Sequence, residues 1–180
     1  MGPQVYDTFS KCLHWVMAVM IIGLLLAGVV MIGLPKGGLR SDVYDIHKQV
    51  GVAVLLLAVL RLGWRLRVGV PALPATMPPL EQRLAQLGHL GLYGLMLAMP
   101  LSGILMSQSG DHPVKLLGLT IPSLVGKDKE LNDLFEGVHE VLAFAWAALL
   151  AAHVGAALRH HFVLKDGVLA RMLPGRAAGP

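Results

Sequence analysis

The sequence predicts an all-α membrane protein, built as one domain with a bundle of four transmembrane helices. The first observation is composition: of 180 residues, 55% are hydrophobic and only 14% are charged, and the mean hydropathy is +0.65. A soluble domain carries about 25% charged residues. The second observation is that the apolar residues fall into four long runs. The third is that each run can belong to a helix of about 20 residues, the length that crosses a bilayer.

The four apolar runs give the helices in chain order. They are Leu13–Leu34, Val50–Leu62, Leu84–Ser107 and Leu134–Leu158, and they predict helices over approximately 8–34, 43–67, 81–108 and 132–162 of a single domain spanning 1–180. The first run is too long for a signal peptide and lacks a small-x-small cleavage site, so we interpret it as a retained helix. The second run is short, and it spans a bilayer only if its helix starts near Tyr44 and continues to Trp64. Backbone groups inside lipid must be paired, which requires helices.

The connections between these helices differ in character. The stretch "KGGLRSD" leads into the second helix, and "RLGWRLRVGVPALPATMPPLEQR" carries prolines that exclude one continuous helix. Segment 108–133 is long enough to hold a short surface helix, but no motif in it indicates a partner. The single cysteine, Cys12, excludes an internal disulfide, a covalent c-type haem motif and a four-cysteine iron–sulfur cluster.

Basic residues predict the orientation, because cytoplasmic loops of membrane proteins are enriched in Lys and Arg. If both termini are cytoplasmic, that side holds nine basic residues and the outside loops hold six. The nine are Lys11, Arg61, Arg65, Arg67, Arg83, Arg159, Lys165, Arg171 and Arg176. We therefore interpret the net charge of +4 as part of the signal that orients the helices in the membrane. No basic stripe is interleaved with aromatic residues, so we do not expect nucleic-acid binding.

Eight histidines occur, six of them within or close to a predicted helix. His139 and His153 are fourteen residues apart on the fourth helix. At 100° per residue they lie within about 40° of one another around the helix and about 21 Å apart along it. One metal ion cannot use both, but two centres near the two membrane surfaces can. Ionisable residues inside a membrane are costly and are functional by default.

Each centre requires a second ligand at matching depth. The second helix runs inward, so His47 lies near the outer surface, and it pairs with His139 by elimination. Near the inner surface His153 can pair with His14 or with His89, and the spacing does not choose between them. Two imidazoles without a nearby carboxylate or thiolate suit haem iron, which takes two axial protein ligands, better than zinc, which prefers four.

Four stretches of the sequence, one for each helix, match the motifs of a known family. They are "LHWVMAVMI", "IHKQVGVAVLLLAVLRLGWR", "GHLGLYGLMLAMPLSG" and "HEVLAFAWAALLAAHVGAALRHHFVLKDGVLARM". Together they resemble the bacterial cytochrome b561 family, of the four-helix, two-haem type, over nearly the whole chain. The resemblance implies two haem b groups, one held by His14 and His153 on the cytoplasmic side and one by His47 and His139 on the periplasmic side. It also implies a multi-pass protein of the bacterial inner membrane, surrounded by membrane lipid.

The resemblance gives His89 a role other than iron ligation. Together with Arg159 and His160, it is expected to hydrogen-bond haem propionates or to line a quinone pocket. The alternative is that these three residues are interfacial and solvated by lipid headgroups.

The function that the resemblance implies is transmembrane one-electron transfer through two bis-histidine haems, with ubiquinone as the acceptor. Some family members resemble superoxide oxidases, so we expect a superoxide:ubiquinone oxidoreductase activity. Lys36, Arg40 and Lys48 flank the outer pair, where positive charge would steer an anion such as superoxide; alternatively they neutralise propionates or cap the loop.

One competing interpretation is a haem b membrane anchor that relays electrons from a separate dehydrogenase, its redox partner protein, to the quinone pool. Another is a histidine ladder that transports metal ions or protons.

Overall fold

The computed structural model describes residues 5–175 and consists mainly of long helices. The elements are α1 (Thr8–Gly33), α2 (Gly38–Val68), α3 (Pro79–Ser109), the strands β1 (Lys115–Leu116) and β2 (Leu119–Thr120), and α4 (Lys129–Arg159). All four of these helices are long and apolar enough to cross a membrane. The all-helical, four-span membrane bundle expected from the sequence is confirmed. Arg176, counted above among the cytoplasmic basic residues, lies outside the described residues.

The helix ends follow from local hydrogen bonding. Asp7 and Asp128 cap α1 and α4, each accepting a hydrogen bond at 3.0 Å from the backbone amide three residues on. Helix α2 begins at Gly38, five residues before the start expected near 43. Ser41 lies inside this first turn, where its hydroxyl donates to the Gly37 carbonyl at 3.3 Å instead of capping a later start.

The two ends of the bundle are defined by which helices begin and end there. At the terminal end, α1 and α3 begin and α2 and α4 end. The Trp64 indole of α2 donates to Asp7 at 3.2 Å, and Arg159 of α4 pairs with Glu81 of α3 at 3.3 Å. The opposite end, called the hairpin end, carries the α1–α2 connection and the two strands.

The connection between α3 and α4 folds as a β-hairpin and not as the short surface helix that its length allowed. Leu117 and Gly118 form a two-residue turn with φ angles of 50° and 83°, the conformation of tight hairpin turns. Positive φ at two consecutive residues breaks a right-handed helix. Val114, 1% exposed, packs against Val52 of α2 and Ile104 of α3, so this segment covers the hairpin end.

The chain after α4 returns across the terminal end. A π-helical turn, His160–Leu164, continues α4, and a short 3₁₀ helix follows at Leu169–Arg171. The Trp15 indole of α1 donates to the Met172 carbonyl at 3.0 Å. This bond ties the tail to the first helix.

A buried apolar cluster joins all four helices between the two ends. Its members are Met17, Ile21, Val54, Ala58, Met96, Met99 and Trp146. Trp146 is 3% exposed and lies seven residues from each of the two α4 histidines, His139 and His153. Outward-facing side chains such as Val29 and Phe144 are strongly exposed, which is expected of a surface that lipid covers.

Candidate metal centres

Two pairs of histidine rings lie edge-on to each other inside the bundle, one pair near each end. At the hairpin end, the ring centroids of His47 on α2 and His139 on α4 are 6.4 Å apart. At the terminal end, those of His14 on α1 and His153 on α4 are 6.2 Å apart. Helix α4 contributes one ring to each pair, and its fourteen-residue spacing separates the pairs by about 21 Å along the helix.

A third histidine lies at the terminal end. The ring centroid of His89 on α3 is 5.6 Å from that of His153, so the structure brings together all three candidates for this end. Two imidazoles holding one metal ion between them, through bonds of about 2 Å, have ring centres about 6.3 Å apart when the ion lies on the line between the rings. The His14–His153 and His47–His139 distances fit this value, and the His89–His153 distance is shorter.

The hydrogen bonds of His139 determine which of its nitrogens can bind a metal. The Ser102 hydroxyl on α3 donates its single hydrogen to the Met99 carbonyl at 2.8 Å, and its oxygen lies 2.9 Å from His139 Nδ1. That oxygen can therefore only accept a hydrogen bond from Nδ1–H. The neutral ring then has its lone pair on Nε2, the form that a metal ligand requires, and the bond at Nδ1 fixes the ring orientation.

Glycines allow the histidine rings to approach neighbouring helices. A Cβ atom at Gly103 would lie 3.0 Å from Cε1 and 3.3 Å from Nδ1 of His139. At Gly28 the corresponding distance to Cε1 of His47 is 3.8 Å, an ordinary van der Waals contact. His47 Nδ1 is buried and has no hydrogen-bond partner among the described residues, so it is open to a partner from outside the chain.

The donor set fits haem better than a metal held by protein alone. Over residues 5–175 there is no group of three or more His, Cys, Asp or Glu side chains that could hold a metal ion. Paired imidazoles suit a metal whose remaining positions a porphyrin fills. The two ring spacings, the unpaired nitrogen of His47 and the Nε2 lone pair of His139 are consistent with two such groups.

Two other residues predicted at the terminal end have partners within the protein. Arg159 pairs with Glu81, as described above. His160 is 9% exposed and hydrogen-bonds through Nδ1 to Asp166. Partial burial raises the pKa of Asp166, but hydrogen bonds from His160 and the Val168 amide lower it, and the pKa lies below its ordinary value. Both contacts connect the end of α4 to its surroundings.

The three basic residues predicted to steer an anion lie at the hairpin end. Lys48 pairs with Asp45 at 2.8 Å and so has a local counter-charge. Arg40 lies over the Tyr44 ring, with 5.5 Å from its guanidinium carbon to the ring centroid, and Lys36 is exposed. In the part of the chain that the structure describes, neither Lys36 nor Arg40 forms an ion pair.

Two residues that contact the histidines, Ser102 and Arg61, are not identified from the sequence. Ser102 adjoins Gly103 in "AMPLSG", and a hydroxyl beside a glycine within an apolar helix was the available signal. From the sequence, Arg61 counts only as a topological charge. In the structure its Nη2 lies 3.3 Å from His14 Nδ1.

Replacing Ser102 by alanine is expected to weaken metal binding at the hairpin-end pair by about tenfold. The His139 Nδ1–H loses its acceptor, and the tautomer of the ring is no longer fixed. The measurement is haem retention at each centre during purification and dilution. Ser109→Ala is the matched control, because the hydroxyl of this buried serine on the same helix donates to carbonyls of α3 and not to a histidine. Equal retention in both variants would mean that Ser102 does not orient the ligand.

One protein family and several bacterial proteins are similar to this chain. A family described as prokaryotic cytochrome b561 matches residues 5–175. Cytochrome b561 homolog 1 of Escherichia coli K12 is 33% identical over 178 residues, covering 94% of this chain and 99% of that protein. Cytochrome b561 homolog 2 of the same organism is 30% identical over 173 residues, covering 95% and 92%. A Yersinia pestis protein named probable superoxide oxidase CybB is 29% identical over 169 residues, covering 94% and 96%.

Proposed function

The chain belongs to the prokaryotic cytochrome b561 family, and from that premise we propose that it oxidises periplasmic superoxide and reduces ubiquinone in the bacterial inner membrane. Proteins of this family bind haem b and transfer electrons across a membrane. The chain is a multi-pass bacterial membrane protein. The observation that carries the proposal is the pairing of four histidine rings at two depths, with centroid distances of 6.2 and 6.4 Å that suit one metal each.

We propose that His14 with His153, and His47 with His139, would hold two haem b groups. Haem b bound by these pairs would supply one-electron chemistry. The protein's contribution is positional. Helix α4 sets the separation of the two centres, Ser102 holds His139 in its ligating form, and the apolar cluster around Trp146 keeps water from the region between them.

We place the terminal end in the cytoplasm and the hairpin end in the periplasm, in accord with the distribution of basic residues. Lys36 and Arg40 then supply local positive charge at the α1–α2 connection, which would attract an anion there. Two superoxide ions each lose one electron and become dioxygen. Ubiquinone takes up these two electrons with two protons and becomes ubiquinol. The similarity to a protein named as a probable superoxide oxidase supports this choice of donor.

Superoxide generated in a solution of the purified, haem-containing chain is expected to produce the absorption spectrum of ferrous haem b, and added ubiquinone to restore the ferric spectrum. The double variant Lys36→Gln, Arg40→Gln should lower the rate constant for superoxide by about tenfold at low ionic strength and by less at high ionic strength. Lys115→Gln, an exposed lysine in β1, is the control and should keep the wild-type rate.

Spectra that stay ferric under a sustained flux of superoxide would reject the oxidase. If the haems instead become reduced only with a co-purified dehydrogenase, the chain is a membrane anchor that relays electrons. A colourless preparation would reject both the oxidase and the membrane anchor, and would favour a transporter of metal ions or protons.

A further inference from the structure

Arg61 on α2 places its guanidinium inside the terminal end of the bundle. Its Nε donates to the Tyr93 hydroxyl of α3 at 3.2 Å, and its Nη2 contacts His14 Nδ1. The third nitrogen, Nη1, is buried and has no hydrogen-bond partner among the described residues. Arg65, one turn further along α2, lies over the Tyr93 ring at 5.2 Å from the centroid. Two guanidinium groups therefore flank one tyrosine beside the terminal-end histidines.

The described residues supply no counter-charge for Arg61 and Arg65. A guanidinium stays protonated at any physiological pH, and a partly buried charge without a partner is costly. The three acidic residues of the terminal end are committed elsewhere. Asp7 accepts from Ser10 and Trp64, Glu81 pairs with Arg159, and Asp166 bonds to His160 and Val168. The missing partner is thus an anion that residues 5–175 do not provide.

The contact between Arg61 and His14 cannot persist when His14 binds a metal. Arginine has only N–H donors, so the contact requires the lone pair of His14 Nδ1. Iron bound at Nδ1 would take that lone pair, and iron bound at Nε2 would leave the ring proton on Nδ1. In either case Nη2 loses its acceptor and joins Nη1 as an unsatisfied donor group. Metal binding at His14 therefore releases Nη2, and two N–H-bearing nitrogens of one guanidinium are then without an acceptor.

We propose that Arg61, supported by Arg65, is a carboxylate-binding site that receives a propionate of the haem held by His14 and His153; this inference rests on the proposed haem ligation. The planar guanidinium presents parallel N–H groups that match the two oxygens of a carboxylate. A small pocket at this position is lined by Arg61 and Arg65, together with Tyr6, Ser10 and Trp64 of the terminal end. An anionic lipid headgroup carries similar oxygen chemistry, and the test below separates it from a propionate.

The proposed contact between Arg61 and a propionate is tested by changing the protein residue and the cofactor separately and together. The full-length apoprotein in detergent is titrated with haem b or with its dimethyl ester, in which both propionates are uncharged, and binding is followed by absorption. Wild type is expected to bind haem b about tenfold more tightly than the ester at one of its two sites. Arg61→Gln should lose that preference. Arg67→Gln, an exposed arginine near the end of the same helix, should keep it.

Two results would overturn the proposal. If Arg61→Gln weakens binding of haem b and of the ester equally, then Arg61 acts on the fold or on a lipid headgroup and not on a propionate. If the wild-type protein does not distinguish the two forms of haem at either site, no propionate is held by a charged partner.

If the Arg61→Gln chain fails to fold, a second measurement on a different variant tests the proposal. Arg61→Lys keeps the charge but removes the two-pronged geometry. Transfer of haem from this purified variant to excess apomyoglobin should be about tenfold faster than wild type in one of two kinetic phases, and unchanged phases would reject the site. Failure of the proposed ligation gives a different result: wild-type protein without two haems, or a His14→Ala variant that keeps both.

Discussion

Replacing His14 by alanine is expected to reduce the haem content of the purified chain from two to one, whereas replacing His89 by alanine leaves two. The reason is distance. The His14 and His153 ring centroids are 6.2 Å apart, close to the separation at which one iron can bind both rings, while those of His89 and His153 are 5.6 Å apart. Alanine cannot coordinate iron, so the terminal-end pair would hold its haem through one imidazole only and would be expected to lose it.

The measurement is the ratio of haem to protein, together with the low-spin ferric signals in electron paramagnetic resonance. His161→Ala serves as the control, because His161 follows α4 and its ring contacts the neighbouring Phe162. Loss of a haem in His89→Ala with both haems retained in His14→Ala would transfer the ligand from α1 to α3. Loss in both variants would show that the three rings form one interdependent site.

Gly103→Ala is expected to lower haem affinity at the hairpin-end pair by about tenfold to a hundredfold, the range found when groups that orient a ligand are lost. The added Cβ would lie 3.0 Å from a ring carbon of His139, closer than side-chain carbons normally approach. Because His139 is also held by its 2.9 Å contact with Ser102, the ring cannot move away and keep that bond. Haem retention and the signal of the hairpin-end centre report the effect.

Gly28→Ala is the matched control for this substitution. Its Cβ would meet His47 at 3.8 Å, an ordinary contact, and alanine is the better helix former. The Gly28→Ala protein should therefore keep both haems and be at least as stable as wild type. Normal haem affinity in Gly103→Ala would mean that the position of His139 is less constrained than its contacts indicate.

Much of the architecture could be predicted from the sequence because lipid simplifies the problem. Apolar runs of spanning length leave helices as the solution, and the four-span bundle and the family resemblance are both confirmed. The start of α2 and the hairpin could not be predicted in the same way. The first depends on which backbone group Ser41 bonds, and the second on a positive φ at Leu117, a residue type that seldom adopts one.

The candidate site shows a similar division. Helical periodicity places His139 and His153 on one side of α4, and the structure brings each close to a ring of another helix. The haem ligation itself stays a prediction. Periodicity could not identify Arg61 or Ser102, because their contacts depend on how side chains of different helices meet, which spacing along one helix does not encode.

The contribution of α4 to both histidine pairs has a consequence for biogenesis. One pair joins the first helix to the last, and the other joins the second helix to the last. A nascent chain inserted as far as α3 contains His14 and His47 but neither of their partners. The hairpin-end pair cannot form until translation has passed His139, and the terminal-end pair cannot form until it has passed His153; both require α4 to enter the membrane. With the ligation proposed above, haem loading is therefore expected to follow insertion of α4.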